Sequence, residues 1–579
     1  MRRKQVIGRA GRAGWAGRAG WVGRVTAVAV AVLLAAACTS RSSNTHSAVS
    51  PQSSATTVPA RPSSPGAGAS SPAPPLAIGV REQDQAAVVI GGSTPQQVSI
   101  AATQALLTAA PVVIVSAPDA DSISEATRDA QRLSLPIIVS DGPTPPGSPT
   151  PNGTAGPTVA SSTAPSRASD SSQISPISPT SAASAPSPTS ASDALDGELH
   201  RLGCLDVLAV GAIAQAPGVH VVGDSAELPL VIAAAANPGT TVLLHAGNDP
   251  ATLAATATAR AAGATVVAVH GNDPRADPFA VSAIAHSPSR HVIAVGPDFG
   301  PANRLASRFA VAQAGAQLPG GGQTIFPGRR FVALYGHPGG DALGVLGAQD
   351  ADASITRARD LASKYDNLSD VPVVPTFEII ATVAAGSPGR DGNYSNESSV
   401  DSLRPWVEKA EAAGFYVVLD LQPGRADLLS QAQLYAALLQ LPDVGLAVDP
   451  EWALTADQKP LEQIGSIDSS RINAVAAWLD AFTASKHLPQ KLFVVHQFRL
   501  SMIGNEPKLK TNYDNIAVLI HMDGQGGQAN KDATWRSVVA AAPKGVPFGW
   551  KNFYKEDHPM LTPQQTMAHK PQPMMISYQ

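Results

Sequence analysis

Cysteine is nearly missing: the 579-residue chain has two, Cys38 and Cys204, in contexts so different that no disulfide framework can staple the fold. Stability must therefore come from packing. Charge is scarce as well, at 15% of residues, and its balance is not basic. The net charge is −4, and residues 1–37 hold seven basic side chains and no acidic one, so the remainder carries about −11. A surface of that sign argues against nucleic acid as a partner. Signature motifs are missing too. There is no Gly-x-Gly-x-x-Gly turn, no Lys-bearing phosphate loop, no Gly-x-Ser-x-Gly nucleophile turn and no His-x-His or His-x-x-x-His pair. Dinucleotide binding, serine-hydrolase chemistry and a metal centre are not expected, and no cofactor is required. Aromatics make up 5% and are unevenly spread: all eight tyrosines and five of the seven tryptophans lie at or after Tyr335. The second half is thus a unit of different composition.

What is present divides the chain further. At roughly 150 residues per domain the length allows three or four folded units. Hydrophobic residues at 44% suffice for cores, but 50 prolines require linker as well. The amino terminus sets the compartment. Arg2, Arg3, Lys4, Arg9, Arg12, Arg18 and Arg24 precede an apolar run over 25–37, too short to span a bilayer as a stable helix. Ala35-Ala36-Ala37 then leads directly into Cys38, the pattern of a secretory signal peptide (1–37) with small residues at its cleavage point. A cysteine placed there resembles the lipobox of bacterial lipoproteins. That resemblance implies an acylated Cys38 holding the mature chain to the extracytoplasmic face of the cell membrane. Residues 38–76 read as a disordered stalk of Ser, Thr, Pro, Ala and Gly, and a second tract of this kind interrupts patterned sequence at 143–192.

From 77 to 320 short apolar runs alternate with Ala-rich helical stretches, at 86–90, 112–116, 137–140, 207–211, 242–245, 266–270 and 292–296. Runs without polar alternation are buried on both faces, which predicts a parallel sheet covered by helices. Gly247-Asn-Asp-Pro250 returns as Gly271-Asn-Asp-Pro274, each just after a strand, so the unit is repetitive α/β. Segments 99–107 before 112–116, and Leu199-His-Arg-Leu-Gly203 before 207–211, resemble the cell wall binding repeat 2 family, which implies attachment to anionic wall polymer. Gly91-Gly92-Ser93-Thr94 reads as a capped strand-to-helix turn rather than an anion cradle.

Beyond residue 325 eight apolar runs follow, at 331–336, 373–378, 416–421, 444–448, 492–498, 516–522, 547–550 and 574–578, with helical patterns between them. Eight strands with intervening helices over 325–579 predict a (β/α)8 TIM-type barrel, which needs about 250 residues. In such a barrel the chemistry gathers where strands end at the carboxyl face. Side-chain parity turns Gly445, Ala447, Asp449 and Glu451 toward the axis, and Val444, Leu446 and Val448 toward the helices. The same alternation turns Tyr335, His337, Glu378, Asp420, Gln422, His496, His521, Asp523 and Lys551 inward. Trp452, Phe498, Trp550 and Tyr554 lie beside them, where ring faces meet pyranose C–H faces. Tyr578, near the end of the eighth run, is assigned to the same pocket. Trp452 and Trp550 suit a core equally well, and the histidines read as core or rim residues sooner than as ligands. Residues 391–394 read as a turn, and Gly524-Gln-Gly-Gly527 as a mobile loop over the pocket.

Two acids spaced by two residues on one strand raise each other's pKa, so that one stays protonated. Glycoside hydrolysis uses this: one carboxylic acid protonates the leaving oxygen while a second carboxylate works from the other side. Glu451 is expected as the acid and Asp449 as its tuner, with Asp420 or Asp523 opposite. Substrate contacts are assigned to His337, Tyr335, Glu378, Gln422, Trp452, His496, His521, Trp550, Lys551 and Tyr578. A structural role also stands open for Asp449 and Glu451, as a cap for the loop or as partners of Lys551 or an arginine. Asp449-Pro-Glu-Trp452 resembles the closing Asp-x-Glu of chitinase-type barrel hydrolases. The whole chain, with Lys551-Asn-Phe-Tyr554 and Ser577-Tyr-Gln579, resembles Ala-rich, Lys-poor actinobacterial surface lipoproteins that join a wall-binding-repeat-like unit to a barrel. The expectation is a lipid-anchored, glycosidase-like enzyme acting on cell-envelope polysaccharide and held at the wall by its first domain. A non-catalytic, glycan- or wall-binding lipoprotein is the alternative.

Overall fold

A computed structural model describes residues 76–142 and 190–579. The signal segment, Cys38, the stalk as far as 75 and the inserted tract at 143–189 lie outside the described residues. At the edges two boundaries move. Leu76 already belongs to a short strand, Leu76–Ala77, paired with Val231–Ile232. Residues 190–192 open a helix, because Ser190 and Asp193 form a reciprocal capping box ahead of Ala191–Arg201.

The first region contains two four-stranded parallel sheets built alike. In one, Val112–Ser116 lies between Ile137–Val139 and Asp206–Val210, with His220–Val222 beyond the latter. In the other, Asn237–His245 lies between Ala264–Val269 and His291–Val295, with Ala87–Ile90 beyond. Each central strand is followed by a helix, a flanking strand, a second helix and the other flanking strand. The repetition predicted from sequence is therefore one of topology, with the outermost strand of the second sheet supplied by the start of the region. The two Asn-Asp-Pro echoes are helix starts: Asp249 caps Pro250–Ala261 and Asp273 caps Pro274–Ala276. Thr94 caps Pro95–Leu106, and Ser93 gives its N–H and hydroxyl to Gln97, so this turn is closed by its own chain. Cys204 is buried and unpaired, and burial pushes its thiol up to about 12.

The second region is the barrel. Its strands are β1 (Arg330–Gly336), β2 (Val373–Ala384), β3 (Tyr416–Leu421), β4 (Val444–Val448), β5 (Lys491–His496), β6 (Ile516–Met522), β7 (Phe548–Asn552) and β8 (Met575–Tyr578). Each pairs in parallel with the next, and β8 closes onto β1 through Phe331↔Met575 to Leu334↔Tyr578. The protein is thus α/β, with a parallel α/β region followed by a (β/α)8 barrel. Helices such as Ala351–Ala362, Val400–Ala412 and Ser469–Ser485 start at Asp350, Ser399 and Asp468, whose side chains accept backbone N–H bonds. Among the described residues, no helix is long and apolar enough to cross a membrane.

Two cores fill the barrel. Val444, Leu446 and Val448 join residues of the surrounding helices in the outer layer. Inside, Phe331, Ala333, Tyr416, Val418, Ala447, Leu492, Val494 and Leu519 plug the amino-terminal half, as the layered interior of this fold requires. The plug meets the α/β region at its base. Arg275 is fully buried, bonded to Asp273 and 3.4 Å from Asp514, which Arg308 grips at 2.6 Å.

Candidate active site

Above the apolar plug the inward positions turn polar on nearly every strand. Tyr335 (β1), Glu378 (β2), Asp420 (β3), Asp449 at the end of β4, His496 (β5), His521 (β6), Asp523 just past it, Lys551 (β7) and Ser577 (β8) converge on the axis, all buried. Higher still, the mouth is a cavity of about 810 Å³. Tyr335, Gln422, Asp449, Glu451, Trp452, Asp523 and Lys551 line it.

At the centre stands His496. Its Nε2 is 3.1 Å from Glu378 and 3.7 Å from Asp420, and its Nδ1 is 3.3 Å from Asp523. These are ion-pair distances, although the ring N–H directions miss the oxygens. Burial would strip the imidazole of its proton, but the charges of Asp420, Asp523 and Glu378 outweigh that and hold its pKa well above the ordinary value. His496 is therefore a buried cation. The effect is mutual: burial would raise Glu378 and Asp523, yet contact with His496 brings both below the usual carboxylate range. Burial raises Asp420 and, much further, Asp449, which also feels Asp523 and Asp420. Carboxylates outnumber cations here, so Asp420 and, more strongly, Asp449 hold their protons more tightly than a free carboxyl does.

The neighbours are held in place. Tyr335 donates its hydroxyl to Asp420 at 2.8 Å and lies under the Lys551 ammonium, 3.3 Å from the ring centre. His521, pushed down to about 3 chiefly by burial, is neutral and contacts the Ser577 hydroxyl at 3.1 Å. Its ring fits only because residue 549 is glycine, since a Cβ there would stand 2.3 Å from His521 Cδ2. Asp557 binds the pocket wall together: it takes the ammonium of Lys531 and the N–H groups of Phe553 and Gly526.

Two acids face the cavity with opposite tendencies. Burial, reinforced by Asp523, pushes Glu451 up to about 7, while Asp523 is kept below its ordinary value. Asp449 also accepts the Glu451 N–H at 3.2 Å, capping the short turn Pro450–Trp452. Parity thus brought Asp449, Glu451, Asp523, Tyr335, Gln422 and Lys551 to one cavity, and Trp452, assigned beside them as an aromatic, lines it as well.

Other assignments need correction. Asp420, Glu378, His496 and His521 are fully buried beneath the cavity floor and do not line the cavity; they set the charge of the groups that do. Glu378 was expected at a strand end, but β2 runs on to Ala384, bulges between Ile380 and Thr382, and pairs with Ser395–Glu397, which leaves it mid-strand. His337 sits on the rim outside the cavity lining, bonded to Ser398 and the Gly339 N–H. Trp550 and Tyr578 fall between inward positions and so face the helices. Trp550 packs against Trp535 and His569, and Tyr578 bonds Tyr365. The loop 524–527 reaches the cavity through Gly524 and Gln525, but the Gly526 bond to Asp557 and the bridge from Gly527 to His558 fasten it down.

The sequence reading overlooked Phe553, Arg499 and Lys531, which also line the cavity. Extending the alternation two residues past Lys551 finds Phe553; Lys531 comes from a helix, where strand parity gives no signal. The two tryptophans now separate by experiment. Trp550→Ala should cost about 3–5 kcal/mol in denaturant unfolding, whereas Trp452→Ala should leave stability nearly unchanged and weaken ligand binding.

The fold and site together define a (β/α)8 barrel with a charged, carboxylate-rich site at its carboxyl face. No protein-family model matches the chain, and no curated protein sequence matches it either.

Proposed function

We propose that the barrel is a glycoside hydrolase acting on cell-envelope polysaccharide. One observation carries this reading: two acids lining the same cavity are driven to opposite protonation states, Glu451 up to about 7 and Asp523 below the usual carboxylate range. Such a divergence supplies an acid and a base at one pH. Glu451 donates a proton to the glycosidic oxygen as the bond to the anomeric carbon breaks. Asp523, kept ionised by His496 and Lys551, faces the positive charge that develops on the sugar. Asp449 positions Glu451 by accepting its backbone N–H in the short turn that follows β4. Trp452, Phe498 and Phe553 offer ring faces for sugar C–H groups.

The remaining parts of the proposal rest on sequence. Acylated at Cys38, the protein sits on the extracytoplasmic face of the membrane, with the α/β region holding it near wall polymer. The second reading, a barrel that grips a glycan without cleaving it, draws on the capping bond of Asp449.

Incubation with cell-wall polysaccharide, followed by mass spectrometry for new reducing ends, tests hydrolysis directly. The activity should fall about tenfold per pH unit above pH 7 as Glu451 loses its proton, and stay flat on the acid side until Asp523 protonates below its ordinary value of 3.8. Binding without new reducing ends would favour the second reading.

A further inference from the structure

Aliphatic side chains crowd the wall of the cavity. Leu343 comes from the segment after β1, Ile380 and Val383 from the far end of β2, and Leu461 and Ile464 from the loop after β4. Leu461 is 83% exposed and Leu343 37%. Leu461 also holds a φ of +67°, a left-handed conformation that disfavours any residue with a Cβ. A leucine turned into solvent by a disfavoured backbone conformation does nothing for the packing of this chain; such local cost is characteristic of binding sites.

The kind of apolar residue matters. Sugars stack on aromatic faces, which here are Trp452, Phe498 and Phe553. Leucine, isoleucine and valine offer no π face and gain mainly by removing hydrocarbon from water. The cavity therefore has two chemistries. Its floor carries Asp449, Asp523, Lys551 and Gln422, all buried, and its mouth carries the exposed leucines.

We propose that the barrel takes an amphipathic glycoside, with the saccharide on the acidic floor and a hydrocarbon aglycone against Leu343, Leu461 and Ile464. This rests on the glycosidase reading for the head group and adds the chemical class of what the head group is attached to.

Calorimetric titration of the full chain with methyl, hexyl and octyl glycosides of glucose, galactose, mannose and N-acetylglucosamine, each below micelle formation, tests it. For at least one head group the affinity should rise by up to about fourfold per methylene buried. Leu461→Ser, at an exposed position where thermal unfolding should be unchanged, should flatten that dependence. Absence of binding by every octyl glycoside, a chain-length dependence that is flat in the wild type, or one that survives Leu461→Ser intact would each overturn the proposal. So would a Leu461→Ser effect confined to self-association in sedimentation, which would make the rim a contact between copies. The readout is separate from catalysis. Chain-length-dependent binding with no cleavage of any glycoside would keep the hydrocarbon subsite and remove the hydrolase, while cleavage of free oligosaccharides with a flat dependence would do the reverse.

Discussion

In the proposed hydrolase, Glu451→Gln should lower kcat/KM on a glycan by about 10²–10⁴, the usual contribution of a positioned general acid, while making the protein slightly more stable. The two effects share a cause. The Glu451 carboxyl is pushed up to about 7 by burial and by Asp523, against an ordinary 4.5, so the folded state holds this proton more tightly than the unfolded chain does. Its contribution to stability is then fully present below pH 4.5 and is lost as the pH rises through 7. Glutamine never ionises. The variant should match the wild type in acid and gain on it across that window, by about 2–4 °C in Tm if solvent in the cavity screens the effect to about 1 kcal/mol. Loss of activity with no stability gain at neutral pH would point to a disturbed fold. Unchanged activity would remove Glu451 from the chemistry.

His496→Leu should be the most damaging single substitution in the barrel. It removes the cation that Glu378, Asp420 and Asp523 surround and leaves buried carboxylates uncompensated, a loss of about 3–5 kcal/mol and roughly 10 °C in Tm. The pH dependence identifies the mechanism. Because the His496 pKa is raised above the ordinary 6.5, its stabilisation is fully present below that value and fades as the pH climbs toward the elevated one. In acid the deficit should shrink again, because Glu378 and Asp523 become protonated in the variant and neutral carboxyls need no cation. Thermal unfolding of both proteins across this range checks it. A deficit independent of pH would mean that His496 acts by packing alone.

Barrel strands were legible because each is an apolar run ended by a polar residue. The observed bounds of β3, β4 and β6 are those of the runs at 416–421, 444–448 and 516–522. Parity then sorted inner from outer positions. The rule failed where a strand did not end with its run: β2 continues six residues past Glu378 and bulges, so a residue assigned to the rim lies at mid-depth. The same alternation turns Trp550 and Tyr578 toward the helices, because their neighbours Lys551 and Ser577 point inward.

The order and direction of the strands, the closed barrel and the inward placement of Asp449, Glu451, Asp523 and Lys551 follow from the sequence, because alternation along a strand is a local property of the backbone. Depth along the axis, the charge on each acid and the hydrocarbon wall beside them are decided only by tertiary structure. Burial and Coulomb interaction depend on which side chains from distant segments share a space. His496 is a cation because three carboxylates from other segments surround it, and Glu451 is pushed up to about 7 because it is buried and Asp523 stands near it.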